Sequence, residues 1–125
     1  MTLRRCSVPV TTAADGSATV YSPVLSGYVC SIIYVKTNFT DGVDFTITAE
    51  ATGETLWTEA NVNAAVAKYP RAAVSSTAGV AALYAAGGTA VTDMIALSRD
   101  RVKIVIAAGG NATTGSFFIV TDDGK

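Results

Sequence analysis

VDFTITAE, at residues 43–50, alternates without a fault: Val43, Phe45, Ile47 and Ala49 are apolar, while Asp44, Thr46, Thr48 and Glu50 are polar or charged. A period of two places the first set on one face of a strand and the second on the other, which is the signature of a strand half buried in an antiparallel sheet. Asp41-Gly42 in front and Thr52-Gly53 behind are turn dipeptides. This short stretch therefore predicts one strand, one buried face and two turns.

The same grammar extends outward. Residues 101–108 (RVKIVIAA) place Val102, Ile104 and Ile106 inward and Lys103 outward, after an Arg99-Asp100 turn and a short strand at 94–98. Gly109-Gly110-Asn111 then turns the chain into a last strand at 116–121 (SFFIVT), with a charged tail at 122–125. Upstream, residues 27–36 (GYVCSIIYVK) are apolar on both phases, with Tyr28, Cys30, Ile32 and Tyr34 against Val29, Ile33 and Val35, so this strand is expected to be covered on both sides. Segments 3–10 and 17–25, separated by a polar stretch holding Asp15-Gly16, and 54–58 around Leu56 and Trp57, complete the set. About eight short strands with glycine and Asp/Asn turns predict an all-β chain, an antiparallel β-sandwich or jelly roll formed as one domain over residues 1–125.

Composition narrows the function classes. Of 125 residues, 50% are hydrophobic and 15% charged, against about 25% charged in an average domain, so little charge is available to solvate the surface. Partners are expected to cover part of it. Nine basic and ten acidic residues leave a net charge of −1, with no electrostatic footprint for nucleic acid and no polybasic patch for a membrane. Apolar runs stop well short of the ~18 residues of a membrane span, and Met1 leads into Leu3-Arg4-Arg5-Cys6 without a secretory apolar core, so the chain is expected to be soluble and made in the cytoplasm. Cys6 and Cys30 pair only if their strands are neighbours, and otherwise act as small buried hydrophobes. Asn38-Phe39-Thr40 and Asn111-Ala112-Thr113 fit the glycosylation sequon but read as turns without a secretion signal.

Residues 60–92 break the grammar. Their 33 positions carry two charges, Lys68 and Arg71, and show no convincing strand alternation. Structureless segments longer than ~12–15 residues are usually functional or disordered, and this one is apolar where disorder is polar. It is read as an extended loop or arm that lies against another protein. Twelve alanines allow a rival reading, a short helix at 79–86 (GVAALYAA) capped by Gly87-Gly88. Pro70, Gly79 and Ser75-Ser76-Thr77 interrupt anything longer.

No histidine is present, which excludes Ser-His-Asp and Cys-His catalysis and histidine metal sites. Acid pairs exist among Asp41, Asp44, Glu50, Glu54 and Glu59, but strand phase and turn position make them a solvated face rather than a glycosidase pair. Asp122-Asp123 is too small a set for calcium, and the glycine doublets form no phosphate loop. The chain is expected to be no enzyme and to hold no cofactor or metal. Aromatic residues and arginine are the residues of interface hot spots, so the partner-binding candidates are Trp57, Tyr69, Arg71, Leu83 and Tyr84. For Trp57 a place in the chain's own core is the competing reading. Exposed aromatics also serve carbohydrate-binding modules, a third class beside capsid and connector proteins.

The runs YVKTNFTDGVDFTITAEATGETLW (34–57), YPRAAVSSTAGVAALYAAGG (69–88) and DRVKIVIAAGGNATTGSFFIV (100–120) resemble small virion proteins of tailed bacteriophages, in particular the jelly-roll cement or decoration proteins of the head. That resemblance covers about half the chain. It implies a viral structural protein on the outer capsid surface, bound to the major capsid protein by protein-protein contacts, stabilising the shell and acting as a dimer or trimer. A head-to-tail connector or tail protein is the alternative within the same class.

Overall fold

A computed structural model describes residues 2–123, and among them all regular structure is β. Ten strands follow in chain order: β1 (Leu3–Thr11), β2 (Ala18–Tyr21), β3 (Leu25–Lys36), β4 (Val43–Ala49), β5 (Thr55–Val62), β6 (Val66–Lys68), β7 (Arg71–Ala73), β8 (Thr92–Asp100), β9 (Val102–Ala107) and β10 (Thr114–Asp122). They form two antiparallel sheets. One runs β1-β10-β3-β8-β7 with β6 attached to β3, and the other runs β2-β9-β4-β5. Without β6 and β7 the chain makes two four-stranded sheets, β1-β10-β3-β8 and β2-β9-β4-β5, in which it crosses between sheets at every step except β4 to β5. That order is a jelly roll, so the expected all-β sandwich is the observed one.

The core lies where the inward phases of the two sheets meet. Val43, Phe45, Ile47 and Ala49 of β4 are buried, as are Val102, Ile104 and Ile106 of β9 and Phe117 and Ile119 of β10. Phe45 is central, with ring centroids 4.7 Å from Tyr34, 5.0 Å from Phe117 and 5.3 Å from Trp57. Phe39, in the β3–β4 connection, closes one end of this cluster. Its ring fits because Gly115 has no side chain, since a Cβ there would stand 2.7 Å from the ring.

Several expectations are corrected by bulges. In β3, Ser31 opposes Val120 and Val29 opposes Thr121, so Cys30 is an extra residue and the inward phase switches from Val29 to Ile32 and Tyr34. The double apolar phase of residues 27–36 therefore arises from a bulge, with Tyr28 exposed and Ile33 and Val35 only partly covered. A second irregularity faces Thr48 and lets both Leu56 and Trp57 of β5 point inward. The expected turn at Arg99-Asp100 is the end of β8, where Arg99 has φ 50° and Arg101 alone leads into β9. Buried Asp100 accepts the amide hydrogens of Ala51 at 3.0 Å and Arg101 at 2.8 Å, which ties this corner to the β4–β5 turn.

The cysteines are free. Cys6 lies on β1 and Cys30 on β3, and β10 runs between them. Strands two apart are separated by about 10 Å, beyond the reach of a disulfide. The expected charged tail also begins later, because Asp122 is a buried residue of β10 and only Asp123 follows it among the described residues. The Asp123 amide donates to the Thr2 carbonyl at 3.1 Å, and the Thr2 amide donates to Asp123 Oδ1 at 3.1 Å, which brings the two described ends together.

Candidate interaction surface

The connection from β5 to β8 is the one large departure from the eight-stranded body, and it is more ordered than its sequence predicts. β5 continues to Val62, β6 pairs with Ile32–Tyr34 of β3, and β7 pairs with the start of β8. Beyond these, residues 74–91 fold on themselves as a prong. Ser75 bridges Ala81 and Leu83 bridges Ala90. The Val74 amide donates to Val91 O at 2.8 Å, Ala82 to Val74 O at 2.8 Å and Val91 to Ala82 O at 2.9 Å, which joins three passes of the chain. Gly79 and Gly87, with φ of 81° and 70°, make the two reversals. The helix considered for 79–86 is absent, since these left-handed glycines and bridges bend the segment into turns. The free arm expected over 60–92 is likewise a self-bonded β structure rooted in β6 and β7.

Residues 72–92 carry no charge, and the prong exposes Val74, Val80, Leu83 and Tyr84. Tyr84 is 75% and Val80 67% exposed. Tyr69 and Arg71 stand at the root. Tyr69 is also open to solvent, whereas the Arg71 guanidinium donates to the carbonyls of Pro70 at 2.7 Å and Cys30 at 3.2 Å and so fixes the root to the β3 bulge. The structure thus separates the five predicted residues into three places. Leu83 and Tyr84 are at the tip, and Tyr69 and Arg71 are at the root. Trp57 is in the core, where its Nε1 donates to Glu59 Oε1 at 3.0 Å, which removes it from any exposed surface.

Val74 and Val80 were not among the residues singled out from the sequence. Alternation along 80-82-84 would have grouped Val80 with Tyr84, but the run is too short and too rich in alanine to show a period. A second feature also escaped notice, because it is assembled from distant segments. Where the sandwich opens at the start of β1, an end cleft of about 650 Å³ is bounded by Arg4 and Cys6 of β1, the Pro23-Val24-Leu25 entry to β3, and Thr121 of β10. Burial pushes the Cys6 thiol above its usual pKa, so it sits there as a neutral wall.

The carboxylates weighed as catalytic pairs have structural partners. Asp41 binds Lys36, and Asp44 accepts the Asn61 amide at 2.9 Å. Glu59 faces Lys68 at 3.5 Å as well as the indole of Trp57. Glu50 receives both Nε and Nη2 of Arg101, at 2.7 and 2.6 Å, and this hydrogen bonding holds its carboxyl below the ordinary carboxylate range. Among the described residues no group of three or more His, Cys, Asp or Glu is placed to hold a metal ion.

Fold and surface together define a jelly-roll β-sandwich that carries an apolar prong between its fifth strand and the rest of the body. No family model matches the chain, and no curated protein matches it. Among solved structures, the crystal structure of FLHE is similar over 95% of this chain and 96% of its own, with a TM-score of 0.42 and 6% identity. A likeness at that level carries no argument about function.

Proposed function

We propose that this chain is a virion structural protein, a cement protein that binds the outer surface of a bacteriophage head and stabilises contacts between major-capsid subunits. The observation that carries the reading is the prong: a charge-free, self-bonded projection exposing Val80, Leu83 and Tyr84 on a jelly-roll body. Burying such residues against a partner contributes about 25 cal/mol per Å² of apolar area, set against the cost of association and ordering. Internal hydrogen bonds reduce the ordering part, because the backbone is arranged before the partner arrives. Tyr69 and Arg71 at the root extend the contact toward the sheet. The resemblance of residues 34–57, 69–88 and 100–120 to phage decoration proteins supports the same assignment.

Deleting residues 75–88 and measuring occupancy on purified heads tests the reading, with loss of binding expected. Undiminished occupancy would overturn it for the prong. Copy number per particle tests the location: hundreds of copies fit cement, whereas about six or twelve, as closed rings dictate, fit a connector.

A further inference from the structure

We infer that the tip of the prong seats in the end cleft of a second copy of this chain, so that copies join head to tail. The inference rests on the prong being a binding surface and is independent of what else the body binds. Three observations lead to it. The first is the tip itself, in which Tyr84 and Val80 stand largely in solvent on a segment without charge over residues 72–92. Such a knob fits a concave site with apolar walls, since any fixed charge buried beneath it would lose water without gaining a partner.

The second observation is that the molecule itself presents such a site. Cys6 and Leu25 form apolar ground in the end cleft, Pro23 and the 61% exposed Val24 form one wall, and Arg4, its side chain 73% exposed, stands at the rim. A volume of about 650 Å³ falls in the range of sites that enclose a small ligand, and is ample for a tyrosine and a valine side chain. A guanidinium at the rim suits a tyrosine ring. This chain already uses that pairing twice, with Arg101 4.2 Å from the Tyr21 ring centroid and Arg5 4.9 Å from that of Phe118.

The third observation is placement. β8 starts at the prong root with Thr92 and ends at Asp100, which is paired with Leu25 at the cleft. Nine strand residues separate the two by about 30 Å, so the tip does not fill the cleft of its own chain. Knob and socket on different surfaces make a heterologous contact, which closes into a ring or continues as a chain according to its rotation.

Sedimentation velocity on the isolated full chain over a concentration series tests this. Wild-type protein is expected to sediment faster as concentration rises. Tyr84→Ala and Val24→Glu, both at exposed positions, should each associate at least about tenfold more weakly, as loss of a hot spot does. Mixing them should restore one sound contact per pair and give 1:1 dimers. The pair Val80→Ser and Arg4→Glu repeats the test should either first variant lose its native circular dichroism. A wild-type chain that stays monomeric, a cleft variant that associates like wild type, or a mixture that stays monomeric would each overturn the contact. Those results leave the capsid reading standing, whereas loss of head occupancy bears on that reading alone.

Discussion

β4 and the tip of the prong are both poor in charge and rich in apolar or small side chains, yet one lies at the centre of the core and the other in solvent. The difference is in period. β4 alternates strictly, so every apolar side chain reaches the same interior and adds to one contiguous cluster around Phe45. In the tip, alanines and glycines follow one another without period, each pass is three or four residues long, and backbone hydrogen bonds do the work that side-chain packing does in the body. Hydrophobic composition is shared by the two regions. A common face is not, and burial follows the face.

Substitutions should separate the regions by size of effect. Phe45→Ala removes the ring at the centre of the aromatic cluster and should cost about 3–5 kcal/mol in chemical denaturation, the range for large aromatic truncations in cores. A loss as small as that of a surface residue would break the contrast. Tyr34→Phe probes the one flaw within the core, because the Tyr34 hydroxyl is buried and has no hydrogen-bond partner. Its removal should leave stability equal or raise it by on the order of 1 kcal/mol. Burial first, and the charge of Asp41 second, push the Tyr34 hydroxyl up to about 12. The folded state then keeps its proton above about pH 10, where an unfolded tyrosine loses it. Stability should therefore be unaffected by this group below about pH 10 and decline from there toward about pH 12, and a pH series of urea midpoints on Tyr34→Phe should lack that decline. Tyr84→Ala, at the small end, should change the melting transition by no more than about 0.5 kcal/mol equivalent, while weakening binding.

Much of the body was legible because β4, β9 and β10 each keep one phase from end to end, and the jelly roll follows from about eight such strands. Residues 27–36 were misread for a local reason. One inserted residue at Cys30 exchanges the faces midway, and alternation analysis sees two apolar phases where the chain has one interrupted phase. Trp57 was ambiguous for the same cause, since a strand irregularity turns two consecutive residues inward. Chain order also says little about which strands are neighbours, and the interposition of β10 between Cys6 and Cys30 is invisible until the sheet order is known. Of the interaction surface, Tyr69, Arg71, Leu83 and Tyr84 were found through residue type. The end cleft was not, because its walls come from segments 23–25, 4–6 and 121, which only the closed sandwich brings together.

The reciprocal hydrogen bonding of Thr2 and Asp123 has a practical corollary for anyone handling the protein. Asp123 also lines the end cleft. A purification tag, fluorophore or fused domain on either end therefore emerges at the mouth of the cleft and acts there as a plug, while the prong stays clear of it. Label position thus becomes a choice of which surface to silence.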